Sequence, residues 1–364
     1  MKKINLFFFY FVFLLGYQSK AQSYRVIQTA MPFLLVQSDA RARAMADTGV
    51  STSADVFSQR WNSAKYPFLN KKYAIGFSYL PYMNKIASQL FLANFSFFKK
   101  IKNTGAFAMS FNYFNIGEIQ ITQEHSNTYI YQGSLKPYEA SLDISYNLLL
   151  SEHFSMGITL KGVHANLGQN PQNQKQNINS LAVGISAFYE KQINELSTCR
   201  IGATISNIGP KVSYYDTKEQ AYFLPINLGL GMGYQYKISQ QNTFLLSVEA
   251  NKLLVPTPSE DNKAKDISFL QGMLQSFSDA SNGIKEEFQE IRWGLGAEYN
   301  FDDSLFLRAG YFHENKNKGD RKHLSTGIGL ALNKTTLNFS YIFSLSSLYS
   351  PLENALGVSV VFAK

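Results

Sequence analysis

Five histidines (His125, His153, His164, His313 and His323) and one cysteine, Cys199, are the side chains that most often carry metal or nucleophilic chemistry. No two of them stand at the i,i+4 or Cys-x-x-Cys spacing that a metal site needs. The chain also has no Gly-x-Ser-x-Gly elbow, phosphate-binding loop or dinucleotide fingerprint. An acid, a histidine and a serine can be chosen on paper from any chain this rich in serine, but only geometry makes them a site. The reading is therefore not an enzyme: no catalytic residue, no cofactor and no metal. The spacing that does stand out belongs to binding. Ile267, Leu270, Leu274 and Phe277 recur at helical intervals, with Phe269 and Met273 beside them, and Ser281-Asn282-Gly283 ends the segment before Ile284 and Phe288 begin another turn. An apolar helical face on a loop either packs over what lies beneath it or is offered to a partner. Phe269, Leu270, Met273, Leu274 and Phe277 are the candidate contacts.

The elements that would position this loop are strands. In Tyr138–Leu148 the residues Tyr138, Ala140, Leu142, Ile144, Tyr146 and Leu148 alternate with Glu139, Ser141, Asp143, Ser145 and Asn147. Leu337–Ser344 and Leu356–Phe362 repeat the period of two. Alternation of this kind gives each strand one apolar and one small or polar face. It predicts fourteen strands, at 73–82, 88–98, 104–121, 136–149, 154–167, 178–192, 197–209, 223–237, 242–255, 290–300, 304–315, 321–332, 335–345 and 354–363. Each is long enough to cross a bilayer at a tilt. The connections alternate as well. Those after even-numbered strands are short, such as Lys99–Asn103 and Ile193–Glu195. Those after odd-numbered strands are mostly long: Thr122–Leu135, Gly168–Asn177, Pro210–Tyr222 and Pro256–Gln289. Short turns on one side and long loops on the other fit an all-β, antiparallel transmembrane barrel rather than a soluble sandwich. Tyr79, Tyr82, Phe97, Phe98, Tyr341 and Phe343, near strand ends, are candidates for the interfacial aromatic girdles.

Composition agrees. Charged residues make up 16% and aromatic residues 15% of the 364, where about a quarter charged is usual. Lys2 and Lys3, the apolar run Ile4–Gly16 and the small residues around Ala21 read as a signal peptide over 1–21, cleaved after Ala21. Its loss removes three lysines and lowers the formal charge of +8 to about +5. That excess is dispersed and the protein is exported, so nucleic acid is not expected as a partner. One cysteine excludes a disulfide scaffold. Residues 22–72 have mixed character, with a helical candidate at Asp39–Ala46, and are long enough to fold into the lumen of a barrel spanning 73–364 as a plug. Inward positions look small or neutral, without opposed charge clusters, which suits a closed barrel better than a conducting pore.

Several long blocks also resemble one family. Met31–Phe68 (MPFLLVQSDARARAMADTGVSTSADVFSQRWNSAKYPF), Asn251–Pro258 (NKLLVPTP), Gln275–Ile291 (QSFSDASNGIKEEFQEI) and Gly310–His323 (GYFHENKNKGDRKH) are similar, in order, to the PorV family of Bacteroidetes type IX secretion outer-membrane barrels. Asn62-Ser63-Ala64 stands where the wider FadL-like superfamily has Asn-Pro-Ala, and Ala44 and Ala46 stand where the family tends to have glycine. The resemblance implies a fourteen-stranded barrel with an N-terminal plug, located in the outer membrane among its lipids. It also implies a shuttle role. Partners would be a giant translocon barrel, the C-terminal signal domains of cargo proteins, and a sortase-like attachment complex at the cell surface. The competing expectations are a FadL-like transporter of hydrophobic small molecules, an enzyme acting on lipid A, and a soluble adhesin.

Overall fold

The structure, a computed structural model, describes residues 26–82, 89–102, 104–125, 128–169, 175–214, 221–258, 267–346 and 355–364. The expected signal segment lies outside the described residues. The alternating segments form strands β1 (Tyr73–Pro81), β2 (Phe91–Ile101), β3 (Gly105–Asn115), β4 (Ile119–His125), β5 (Thr128–Leu135), β6 (Tyr138–Ser151), β7 (Phe154–Gln169), β8 (Lys175–Asn194) and β9 (Ser197–Ile208). They continue as β10 (Val212–Ser213), β11 (Ala221–Tyr222), β12 (Asn227–Lys237), β13 (Asn242–Leu253), β14 (Arg292–Phe301), β15 (Leu305–His313), β16 (Lys322–Leu332), β17 (Thr335–Ser344) and β18 (Leu356–Ala363). Fourteen of them make one closed antiparallel barrel, sealed where β1 pairs with β18 from Ala74–Ala363 to Tyr79–Val358. Closure leaves no unpaired sheet edge, which hydrocarbon does not tolerate.

Burial runs opposite to that of a soluble protein. On β6, Glu139, Ser141, Asp143, Ser145 and Asn147 are buried, while Leu142, Ile144, Tyr146 and Leu148 are exposed. The same inversion exposes Phe77 and Tyr79 on β1, Ile158 and Leu160 on β7, and Leu230, Met232 and Tyr234 on β12. Inside, polar side chains satisfy one another: Asn94 Nδ2 donates to Asn112 Oδ1 at 2.8 Å, and Asn112 Nδ2 to Ser141 Oγ at 3.1 Å. An apolar exterior around a hydrogen-bonded interior is the pattern of an outer-membrane barrel. No helix among the described residues is long and apolar enough to cross a membrane.

Residues 26–72 thread the lumen from end to end. At the long-loop end, the Ala30 amide donates to Phe223 O and the Met31 amide to Tyr214 Oη, both at 2.9 Å. There Phe33 and Leu34 pack with Leu80, Leu92, Phe114, Val163 and Ile178. The segment then forms helix α1 (Ala40–Ala44), which Asp39 caps by accepting the Ala42 amide at 2.8 Å, and helix α2 (Ser58–Trp61). A short side chain that accepts one of the orphan amides of the first turn is what starts a helix of this size. At the short-turn end, Tyr66 stacks on Phe98 at 5.0 Å within a second apolar cluster. There the Lys72 and Tyr73 amides donate to Lys364 O.

Three expectations need correction. The third wall strand does not run to residue 121. It stops at Asn115, and Gly117 turns the chain with φ of 87°. Ile119–Ile121 then begin the ribbon β4–β5, which replaces most of the expected Thr122–Leu135 loop and lies outside the barrel sheet. Alternation carries no mark of whether a strand lies in the wall or beyond it. A second small ribbon, β10–β11, sits in the expected 210–222 loop. Of the girdle candidates, Phe98 is fully buried against the plug and Tyr82 packs edge-on to Phe114 in the upper lumen. Adjacent residues of a strand face opposite ways, so Phe97 and Phe98 cannot share a girdle.

Candidate functional site

Each end of the barrel interior is built around charge, and the first such group locks the plug. Arg41 of α1 makes a two-pronged pair with Glu298 of β14, Nε to Oε2 and Nη2 to Oε1, both at 2.9 Å. Its Nη1 also reaches Asp55 Oδ2 at 3.0 Å, and Nη2 reaches Ser53 Oγ at 2.7 Å. Arg308 Nε of β15 shares Glu298 Oε2 with Arg41, at 2.6 Å. Burial works against the Arg41 charge, but Glu298 and Asp55 outweigh it and hold the guanidinium protonated more firmly than usual. A second anchor is Glu249 of β13, whose Oε2 accepts the Gly49 and Val50 amides, each at 2.8 Å. Lys65 Nζ grips the same turn through Gly49 O at 2.6 Å, and burial pulls its pKa down to about 8. The lumen is therefore not free of opposed charges, as the sequence suggested. The strands that carry them supply only one or two each, such as Glu139 and Asp143 on β6, Glu249 and Lys252 on β13, and Arg292 and Glu298 on β14, so they form no cluster in the sequence.

Between these anchors the plug backbone lies directly on the wall. A Cβ added at Gly310 would come within 2.5 Å of Ala46 N and Met45 C, and one at Gly202 within 2.2 Å of Val50 O. Asn62 completes the contact by donating to Val50 O and Ala187 O at 3.0 Å while accepting the Ala64 amide. Ser63 turns its hydroxyl to Ser186 Oγ at 2.9 Å. At these glycines no side chain could fit between plug and wall.

The second group is at the long-loop end. The connection from β13 to β14 forms helix α3 (Phe269–Gln275), capped by Ser268, and helix α4 (Ile284–Gln289). Gly272 lets α3 sit on the Phe223 ring and Pro256. The underside of α4 is ionic. Lys318 Nζ contacts Glu286 and Glu290 at 2.8 Å each, and Lys252 Nζ contacts Glu287 at 2.9 Å and Glu290 at 2.5 Å. All four of Glu286, Glu290, Lys252 and Lys318 are buried, as charges can be when paired and fully hydrogen-bonded. Asp279 accepts the Thr257 amide beside them, and burial raises its pKa to about 6. This network fastens the loop to the barrel rim.

The candidate contacts divide on this platform. Leu270, Leu274 (77% exposed) and Phe277 face outward, whereas Phe269 and Met273 are half-buried against the rim. Ile284 (76% exposed) and Phe288, one turn apart on α4, also face outward and belong with the first three. Their i,i+4 spacing opposite Glu286 and Glu290 was the available signal. The histidines fall in separate places. His153 meets Tyr189, His164 bonds Asn179, His313 lies by Tyr311, and His323 stacks on Phe312. Among the described residues no three His, Cys, Asp or Glu side chains gather as a metal site.

Cavities flank the plug at both ends. One of about 440 Å³ lies under the platform, bounded by Ile27, Leu35, Tyr82 and Phe312 on one side and by Asp47, Arg292, Glu314, Lys318 and Arg321 on another. A second, about 420 Å³, lies at the short-turn end around Arg41, Asp55, Glu298 and Arg308. A third, of about 550 Å³, lies between residues 27–29 and Leu167, Tyr214 and Tyr222.

A family model described as Type IX secretion system protein PorV matches residues 18–260. The chain belongs to the PorV family. The match covers the plug and the wall through β13, and the platform helices follow it. No curated protein matches the sequence. Among solved structures, the chain is similar to the Pseudomonas putida toluene transporter TodX, with 9% identity, a TM-score of 0.54, and 90% of this chain and 98% of that chain covered. It is likewise similar to the Ralstonia pickettii toluene transporter TbuX, at 11% identity, a TM-score of 0.51, and 91% and 98% coverage. A Pseudomonas aeruginosa FadL homologue aligns at 11% identity and a TM-score of 0.49 over 89% and 98%. At such identities the property shared with TodX and TbuX is the fold alone, a closed β-barrel. Membership makes this an outer-membrane protein of the type IX secretion system.

Proposed function

We propose that the protein is the carrier of its secretion system. It receives the C-terminal signal domain of a cargo protein at the giant translocon barrel and presents it to the sortase-like attachment complex at the cell surface. The observation that carries this reading is the platform, where five large apolar side chains, on α3, in the turn after it and on α4, stand in water, held by a buried ion network above a locked plug. Exposed apolar groups on a fastened scaffold favour docking, because little ordering entropy is lost when a partner covers them. Leu270, Leu274, Phe277, Ile284 and Phe288 are the contacts, with Phe269 and Met273 supporting them from below. The carrier needs no catalytic residue, cofactor or metal, and its export is directed by residues 1–21, which are then removed.

The alternative, transport of hydrophobic small molecules, has less support. The cavity beneath the platform brings Asp47, Arg292, Glu314, Lys318 and Arg321 to its lining, and an apolar guest there would strip water from five charged groups. Purification of the tagged protein from its own outer membrane in mild detergent, with mass spectrometry of what accompanies it, separates the two readings. Recovery of a giant barrel, or of several secreted proteins that share one C-terminal domain, is the expected result. Recovery of the barrel alone with a hydrophobic small molecule in its lumen contradicts the carrier.

A further inference from the structure

The membrane-facing wall is not uniformly bulky. Along the outward face of β7, Met156, Ile158 and Leu160 are exposed apolar residues, but the next outward position is Gly162 and the one after it is His164. Register places Gly162 level with Leu142 of β6 and Leu181 of β8, and Leu142 level with Phe111 of β3. One step higher, Ala140 stands opposite His164, which stands opposite Asn179. The outer surface therefore drops to Gly162 and Ala140 between the exposed side chains of Phe111, Leu142 and Leu181. This leaves a groove of about 450 Å³. Its upper end is polar, with His164 Nδ1 and Asn179 Oδ1 2.8 Å apart and Tyr138 Oη 3.4 Å from His164 Nε2. A Cβ at Gly162 would meet only Leu181 Cδ2, at 4.0 Å, so no packing within the wall requires the glycine.

We infer that this groove binds one acyl chain of an outer-leaflet lipopolysaccharide, with the polar atoms at the head of that chain against His164 and Asn179. The groove continues the surface that faces the bilayer, so its occupant comes from the membrane. It lies at the upper limit of the apolar band, where β7 changes from leucine to histidine. With the long loops outside the cell, that limit is the headgroup level of the outer leaflet. A slot below and hydrogen-bonding groups above match a chain hanging from an amide, ester or hydroxyl. The large outward side chains around it, Leu160, Leu181 and Val183, stand above the slot as its walls. The site is independent of the platform and of the carrier reading.

Native mass spectrometry of the full-length protein tests this. The purified protein is incubated with lipopolysaccharide from its own membrane and, separately, with phosphatidylethanolamine. Wild type should retain lipopolysaccharide, Gly162→Leu should reduce retention at least tenfold by filling the slot, and the His164→Ala/Asn179→Ala double variant should reduce it severalfold. Leu230→Ala, on β12, should retain it as wild type does. Heat-modifiable gel migration verifies that each variant is folded, and the double variant leaves the slot open should Gly162→Leu fail to fold. Equal retention by wild type and the groove variants overturns the inference, as does preferential retention of phosphatidylethanolamine. So does recovery of a protein, rather than a lipid, whose attachment Gly162→Leu abolishes.

Discussion

Replacing Arg41 by alanine should loosen the plug without unfolding the barrel. The substitution removes the two 2.9 Å contacts to Glu298 and those to Asp55 and Ser53. Breaking a buried ion pair costs about 3–5 kcal/mol when the partner is left alone. Here neither acid is fully orphaned, since Glu298 keeps Arg308 at 2.6 Å and Asp55 keeps the Phe57 amide at 2.9 Å. The lower end of that range, about 3 kcal/mol, applies and corresponds to roughly a hundredfold rise in the displaced-plug population. Glu298→Ala should do more, because it leaves two buried guanidiniums facing one another with the shared carboxylate gone. The double variant should cost less than the sum of the two, since both singles break the same contact. Single-channel recording in planar bilayers reads the open fraction directly. Wild-type closure in both single variants, or strict additivity in the double, would refute the lock.

The other expectations concern the plug and the platform. Gly310→Ala should also raise the open fraction, because the new methyl meets Ala46 N and Met45 C at 2.5 Å and backbone cannot swing aside; a cost of about 1–3 kcal/mol is usual for overpacking. Burial lifts Asp47 from 3.8 to about 7 and lowers Lys65 from 10.5 to about 8. The folded state binds the Asp47 proton more tightly, so stability falls as pH rises from about 4 to 7; it binds the Lys65 proton less tightly, so stability recovers from about 8 to 10. Thermal unfolding, followed by gel migration across pH, should show the plugged state weakest between pH 7 and 8. Asp47→Asn should remove the acid limb and Lys65→Met the alkaline one, and unchanged limbs would contradict the assignment. Lys318→Ala should release α4 by leaving Glu286 and Glu290 short of a counter-charge, seen as faster amide exchange over 284–290 with the barrel melting unchanged.

The wall was legible because lipid outside and a polar lumen inside impose one strict period, and all fourteen wall strands follow it. The α1 helix was legible too, since Asp39 is a strong cap in front of Ala40–Ala44. The contacts that fix the plug were not. Arg41 and Glu298 are 257 positions apart, and Glu249 is 200 from Gly49, so nothing local joins them. On the platform, helical spacing pointed to Leu270, Leu274 and Phe277, which stand exposed. It missed that Gly272 turns α3 so that Phe269 and Met273 face the rim. It also missed that Lys252 and Lys318, from two other segments, orient α4 with Ile284 and Phe288 outward. Which face of a short helix is free depends on what its other face finds, and here those partners come from β13 and from the β15–β16 connection.

The central claim is that the apolar face of α3 and α4 receives cargo. Binding of a purified cargo C-terminal signal domain to the detergent-solubilised protein, measured for wild type and for the Leu274→Asp/Phe288→Asp variant, tests it directly. Both side chains are exposed, so the variant should keep wild-type thermal stability and heat-modifiable migration. At least a hundredfold loss of affinity is expected in that folded variant. Undiminished binding would contradict it and remove the platform from the carrier function.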